Sequence, residues 1–138
     1  MQPRVIVAEQ TSRNRYAQPG SMPPREIEMT IRLMVPEDEG ADVGISAEFV
    51  PGVPEQWEDG LSQRLYRGVH GGLARVGSPL PAGGIEVRIS KVRVFPQLST
   101  DSDQDDVRRV GETLEALTAA TVSALWSGLI HLGSLSAA

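Results

Sequence analysis

The chain has 138 residues, of which 40% are hydrophobic and 22% charged, and its net charge is −5. This composition fits one globular domain over residues 1–138 and excludes a disordered tail. Cysteine is absent, which excludes a disulfide scaffold, a zinc–thiolate site and a cysteine nucleophile.

The first half of the chain predicts three strands. Residues 5–7 are β-branched and predict a short first strand, whereas residues 11–25 are rich in Arg and Pro and predict a loop. Apolar and polar residues alternate over 26–35, which predicts a strand with one buried face. The alternation resumes over 43–49 after the turn-forming residues 36–40, so we expect these two strands to form an antiparallel hairpin.

A helix is predicted to begin at Val53-Pro54, because proline is tolerated at the start of a helix. Apolar residues then recur every three or four positions and form a single stripe: Trp57, Leu61, Leu65, Val69, Leu73 and Val76. Four glycines interrupt the same segment: Gly60, Gly68, Gly71 and Gly72. They indicate either a close approach of a neighbouring element or a helix that frays beyond Gly71.

Residues 85–94 alternate again, but the apolar set changes phase by one residue, which predicts a β-bulge near Ser90-Lys91. A second helical stripe follows between Val107 and Leu125. The predicted fold is therefore α+β, with a four-stranded, mostly antiparallel sheet and two helices on one face.

An acidic run over 99–106 precedes the second helix, with Asp101 or Ser102 as the expected N-cap. Asp101, Asp103, Asp105 and Glu112 are spaced like calcium ligands, but Asp106 stands where that loop requires glycine. The run is therefore interpreted as a helix start, and we expect no metal and no cofactor.

Residues 116–138 carry no charge and are long enough to span a membrane. Many of them are small or polar, so we expect a helix buried against the sheet, followed by a C-terminal extension over 128–138, and no membrane span. The apolar end of this segment is a candidate interface with a partner or a second copy of the chain, formed by Trp126, Leu129, Ile130 and Leu132.

The charges are segregated along the chain, at +3 over residues 1–25, −9 over 26–60, +5 over 61–98 and −4 over 99–138. Basic side chains of the first and third segments would supply a local basic face, although the pI is near 5.0. Solvated charges on alternate faces are the simpler interpretation. The candidate RNA-binding residues are Arg13, Arg15, Arg25, Arg88, Lys91 and Arg93.

Catalysis is not indicated. The glycine-rich stretches 68–72 and 77–84 match no nucleotide-binding pattern, so we expect no bound nucleotide. No nucleophile or carboxylate can be assigned to His70 or His131. Residues 1–10 show no secretory signal, and a cytoplasmic location is expected.

Six segments, in order, cover nearly the whole chain: Pro-Arg-Val-Ile-Val-Ala-Glu-Gln-Thr at 3–11, the strand 27–35, Val-Pro with Trp at 53–57, Arg-Gly-Val at 67–69, the strand 85–90 and Asp-Ser at 101–102. Together they resemble domain IV of the translation elongation factor G and elongation factor 2 family. The resemblance implies a left-handed β-α-β crossover and a non-catalytic, ribosome-contacting module without a GTPase domain.

The resemblance also implies a tip loop at Pro96, Gln97 and Leu98. The glycine-rich and Tyr-His tip motifs of the family have no counterpart in residues 11–25 and 94–99. Three hypotheses follow. The first is a non-catalytic module that binds RNA or the ribosome; the second is a protein-interaction or self-association module that has lost the translation role. A small enzyme is the third and has the least support.

Overall fold

Four strands and two helices make up the part of the chain that the computed structural model describes, residues 6–18, 20–35, 43–77 and 84–131. In chain order they are β1 (Ile6–Tyr16), β2 (Arg25–Val35), β3 (Val43–Phe49), α1 (Glu55–Val76), β4 (Ile85–Phe95) and α2 (Gln104–His131). The predicted α+β class is confirmed.

The strands form one mixed sheet in the order β1-β2-β4-β3. β2 pairs antiparallel with both β1 and β4, whereas β3 pairs parallel with β4. The predicted β2–β3 hairpin is wrong, because β4 lies between these strands. Alternation shows which face of a strand is buried, but it carries no information about the neighbouring strand. The predicted turn at 36–40 lies outside the described residues.

β1 is longer than the sequence indicates. The predicted loop over 11–25 is wrong for residues 11–16, which pair with β2 as far as Tyr16↔Arg25. β1 is an edge strand, and Glu9, Thr11 and Arg13 on it are exposed. An edge strand with this much polar surface has no apolar alternation to reveal it.

The core lies between the sheet and the two helices, both of which cover the same face. β2 and β4 each contribute five buried apolar side chains: Ile27, Met29, Ile31, Leu33 and Val35, and Ile85, Val87, Ile89, Val92 and Val94. The predicted stripe of α1 is confirmed, since Leu61, Leu65, Val69 and Leu73 are buried among them. The opposite face of the sheet is not covered by any described element.

The two helices pack closely at two of the four glycines of α1. A Cβ on Gly68 would lie 2.7 Å from the Glu115 carbonyl oxygen, and one on Gly72 would lie 2.6 Å from that of Ala119. The predicted close approach is confirmed at these positions. The helix does not fray at Gly71 but continues to Val76, and Gly77 ends it with a φ of 71°.

The acidic run begins α2, as predicted, but the N-cap is Asp103 rather than Asp101 or Ser102. The Oδ1 atom of Asp103 accepts a hydrogen bond of 3.2 Å from the Asp105 N–H. Ser102 instead accepts one of 2.8 Å from the Ser99 N–H in the preceding turn. Within the described ranges, no cluster of three or more acidic or histidine side chains could hold a metal ion.

The predicted partner interface at the end of α2 is largely buried. Trp126 is 1% exposed and belongs to the core with Leu129, while Ile130 packs against it. The prediction is therefore wrong for Trp126 and Leu129, because the apolar stripe of α2 faces the sheet. Leu132 lies outside the described residues, as does the end of the predicted extension beyond residue 131.

One helix of the described chain, Gln104–Ile130, is long enough to cross a membrane, and its most apolar window of 18 residues has a mean hydropathy of 1.3. The core helix of a globular domain has similar values, and 39% of the most apolar window is buried inside the fold. Length and composition are therefore weak evidence for a span.

Candidate functional site

A groove of about 330 Å³ lies on the uncovered face of the sheet, where β1 ends, β2 begins and β4 ends. We call it the arginine groove. The residues that line it come from these three strands: Arg13, Asn14, Arg15, Glu26, Ile27, Glu28, Arg93 and Phe95. Its position on adjacent strands makes it a rigid site rather than a loop cluster.

The sheet register brings the charged side chains of the arginine groove together in two rows. Glu28 of β2 lies opposite Arg13 on one side and Arg93 on the other. Glu26 lies opposite Arg15 and Phe95 in the same way. Each glutamate therefore lies between a residue of β1 and a residue of β4, about 5 Å from each backbone.

Arg13 forms an ion pair within the arginine groove. The Nε atom of Arg13 lies 2.6 Å from Oε2 of Glu28, and the arginine is well exposed. Across the described ranges, Arg15 and Arg93 have no carboxylate oxygen within the 4.0 Å of a salt bridge. Three arginines against two glutamates leave the groove locally positive in a protein whose net charge is −5.

An exposed aromatic ring lies among these charges. Phe95 is 52% exposed, and the guanidinium carbon of Arg93 lies 5.4 Å from the centre of its ring. This distance fits a cation–π contact. Phe95 was not among the predicted site residues. The change of phase in β4 is the signal that could have found it, since it puts Phe95, like Arg93, on the open face of the sheet.

The predicted β-bulge is confirmed and explains how the groove forms. The pairing of β4 shifts between Glu28 and Thr30 of β2, and it shifts again next to Ala47 of β3. Lys91 occupies the bulge with a φ of 54°. Without this extra residue, Arg93 and Phe95 would point into the core, because the two faces of a strand alternate.

Arg25 was predicted to bind RNA, and the structure contradicts this, because the residue is only 4% exposed. Its Nη2 atom lies 2.6 Å from Oδ2 of Asp106 and donates a bond of 3.0 Å to Oε1 of Gln18. Its Nη1 atom donates to the Pro96 carbonyl oxygen. Arg25 therefore joins the loop before β2, the segment after β4 and the start of α2.

Tyr16 of β1 lies opposite Arg25 of β2. Its hydroxyl is buried without a hydrogen-bond partner among the residues that the structure describes. Burial raises the pKa of Tyr16, and the Arg25 charge partly opposes this effect. The pair belongs to the packed side of the sheet and takes no part in the arginine groove.

The remaining predicted basic residues lie apart from the groove. Arg88 is on the same open face and lies opposite Arg32 of β2. Its Nη2 atom lies 3.4 Å from Oε1 of Glu86. Lys91 is exposed at the bulge. Of the six candidate RNA-binding residues, the structure therefore brings three together: Arg13, Arg15 and Arg93.

The predicted tip loop, Pro96, Gln97 and Leu98, does not line the arginine groove. Leu98 is buried in the core. Pro96 and Gln97 line a second cavity of about 750 Å³ beside the acidic start of α2, and the Gln97 amide donates to the Pro51 carbonyl oxygen at 3.3 Å. His70 is exposed on α1, on the far side of the sheet from the groove, and the His131 side chain lies outside the described residues.

No family model matches this chain, and no curated protein is significantly similar to it in sequence.

Proposed function

We propose that this protein is a non-catalytic, cytoplasmic module that binds RNA, alone or in the ribosome, through the arginine groove. The observation that carries the proposal is the pair Arg15 and Arg93, two exposed arginines without carboxylate partners in the described chain, on either side of an open groove. Guanidinium groups bind phosphate oxygens through paired hydrogen bonds, and the phosphate backbone dominates RNA affinity.

The resemblance to domain IV of elongation factor G is in line with this proposal. The order of three strands, a helix, a strand and a helix, and the parallel β3–β4 pair joined through α1, are compatible with the crossover fold of that domain. We propose that this crossover is left-handed, as in that family. The alternative of self-association through the end of α2 has less support, because Trp126 and Leu129 are buried.

A double charge reversal tests the proposal. We expect Arg15→Glu with Arg93→Glu to weaken binding to a labelled oligouridine at least about tenfold at low salt, because both phosphate contacts are replaced by repulsion. The measurement is fluorescence anisotropy. Circular dichroism should stay close to that of the wild type, since both side chains are exposed, and the urea midpoint should fall only slightly, because each new glutamate lies opposite Glu26 or Glu28.

The matched control is Arg67→Glu with Arg75→Glu, which changes the net charge equally at two exposed positions of α1. These positions lie behind the sheet, so we expect oligouridine affinity close to that of the wild type. Equal losses in both double variants would show that only the overall charge matters and would contradict a site in the groove.

A further inference from the structure

The exposed ring of Phe95, which lines the arginine groove at the end of β4, narrows the class of RNA that the groove can hold. We infer that the groove holds a single-stranded segment with one unpaired base stacked on Phe95. This inference rests on the proposed function and specifies the form of the ligand.

The exposure of Phe95 is the first argument. An apolar side chain that is half exposed contributes little to the stability of the fold, and the sheet already has a complete core on its other face. On the open face the ring lies 5.4 Å from the guanidinium carbon of Arg93 and opposite Glu26 of β2. A flat, exposed ring beside cationic side chains is the arrangement with which proteins hold unpaired bases, since every base has a face that can stack.

The position of the arginines is the second argument. Arg15 and Arg93 come from β1 and β4, which are separated by β2, and they lie opposite Glu26 and Glu28 respectively, so their backbones lie diagonally about 12 Å apart. Their long side chains can reach the phosphates on either side of one nucleotide. The groove volume of about 330 Å³ is at the lower end of the range for small-molecule sites, which suits one nucleotide.

The two glutamates are the third argument, because they disfavour a duplex. Glu26 and Glu28 line the groove between the arginines. A duplex presents closely spaced phosphates to a flat protein surface and keeps its bases stacked inside, so these carboxylates would repel it while Phe95 gained no contact. A single strand can place its phosphates at the arginines and its base over the ring.

The test compares Phe95→Leu and Phe95→Tyr on two labelled probes, an oligouridine and a blunt-ended RNA duplex with the same number of phosphates and no unpaired base. Leucine keeps an apolar side chain but removes the ring, whereas tyrosine keeps the ring. We expect Phe95→Leu to weaken oligouridine binding about five- to a hundredfold, and Phe95→Tyr to retain it. Neither variant should change the weaker binding of the duplex.

Tyr66→Leu is the matched control, because Tyr66 is another exposed aromatic residue, located on α1 behind the sheet. Its oligouridine affinity should equal that of the wild type. An unchanged affinity in Phe95→Leu, or a blunt-ended duplex bound as tightly as the oligouridine, would overturn the stacking of a base. The proposed function would still stand in either case if the Arg15 and Arg93 reversal abolished binding.

Polyglutamate is the remaining probe and distinguishes RNA from an acidic protein segment. We expect it to bind more weakly than oligouridine and to show no dependence on Phe95. Tighter binding of polyglutamate would overturn the inference together with the proposed function, since the arginine groove would then select carboxylates.

Discussion

Lys91 determines which side chains of β4 lie on the open face of the sheet. Its φ of 54° lies in the left-handed region, which residues other than glycine rarely adopt because the Cβ atom is crowded there. The strained residue forms the bulge that keeps Val92 and Val94 in the core and turns Arg93 and Phe95 outward. One backbone conformation therefore determines which side chains are available to a ligand.

Substitutions at Lys91 should change stability according to their tolerance of this φ. We expect Lys91→Gly to raise the free energy of unfolding by about 0.5–1 kcal/mol, because glycine adopts the conformation without strain. Lys91→Val should lower it by about 1–2 kcal/mol, since a branched Cβ increases the crowding. Urea unfolding measures both values. A destabilised glycine variant would show that the bulge is not strained at this position.

At the level of elements, the contact between α1 and α2 depends on two glycines of α1. Gly68 and Gly72 are four residues apart and lie on the same side of the helix, where the α2 backbone comes within contact distance. Their neighbour Gly71 points to open space and has no heavy atom within 4 Å of its would-be Cβ. Adjacent glycines in one helix thus have opposite roles.

Alanine substitutions at Gly71 and Gly72 should change the free energy of unfolding in opposite directions. Gly71→Ala should raise the free energy of unfolding by up to about 1 kcal/mol, because alanine is the better helix former and nothing obstructs the methyl group. Gly72→Ala should lower it by about 1–3 kcal/mol, since the methyl group would lie 2.6 Å from a backbone oxygen and would force the helices apart. Thermal or urea unfolding of the two variants checks the prediction, and equal effects would contradict it.

The sequence predicts elements that bury a regular apolar pattern and misses those that do not. The alternation of β2, the stripe of α1 and the change of phase in β4 are each visible because a buried face requires apolar residues at a fixed period. The second half of β1 could not be predicted as a strand, because Arg13 and Arg15 face solvent on an edge strand. The order of strands is invisible because pairing depends on contacts between distant residues.

The candidate site was predicted in part, for the same reason. The change of phase indicated that Arg93 faces outward, and the structure places it there beside Arg13 and Arg15. The burial of Arg25 could not be predicted, because it depends on Asp106, which is 81 residues away in the chain. A charged side chain is buried only where a partner meets it, and a local pattern does not contain the partner.

For the molecule as a whole, folding mixes charges that are separate in the sequence. The basic segments 1–25 and 61–98 supply β1 and β4, and the acidic segment 26–60 supplies β2, which lies between them. Opposite charges therefore lie side by side on the open face. Another example is the Nε atom of Arg32, which lies 3.2 Å from Oε2 of Glu9. Among the described residues this face has no extended basic surface, so the RNA of the proposed function would meet its favourable potential in the arginine groove.

The salt dependence of RNA binding should reflect this small positive area. Single strands lose about 0.7 in the slope of log affinity against log salt for each neutralised phosphate. Two or three arginines in the groove therefore predict a slope between about −1.4 and −2.1 for oligouridine, measured by anisotropy over a salt titration. Arg15→Gln should reduce the slope by about 0.7, whereas Arg88→Gln should leave it unchanged because Arg88 lies outside the groove. A slope steeper than about −4 would require more phosphate contacts than the groove can supply and would place the RNA across a larger surface.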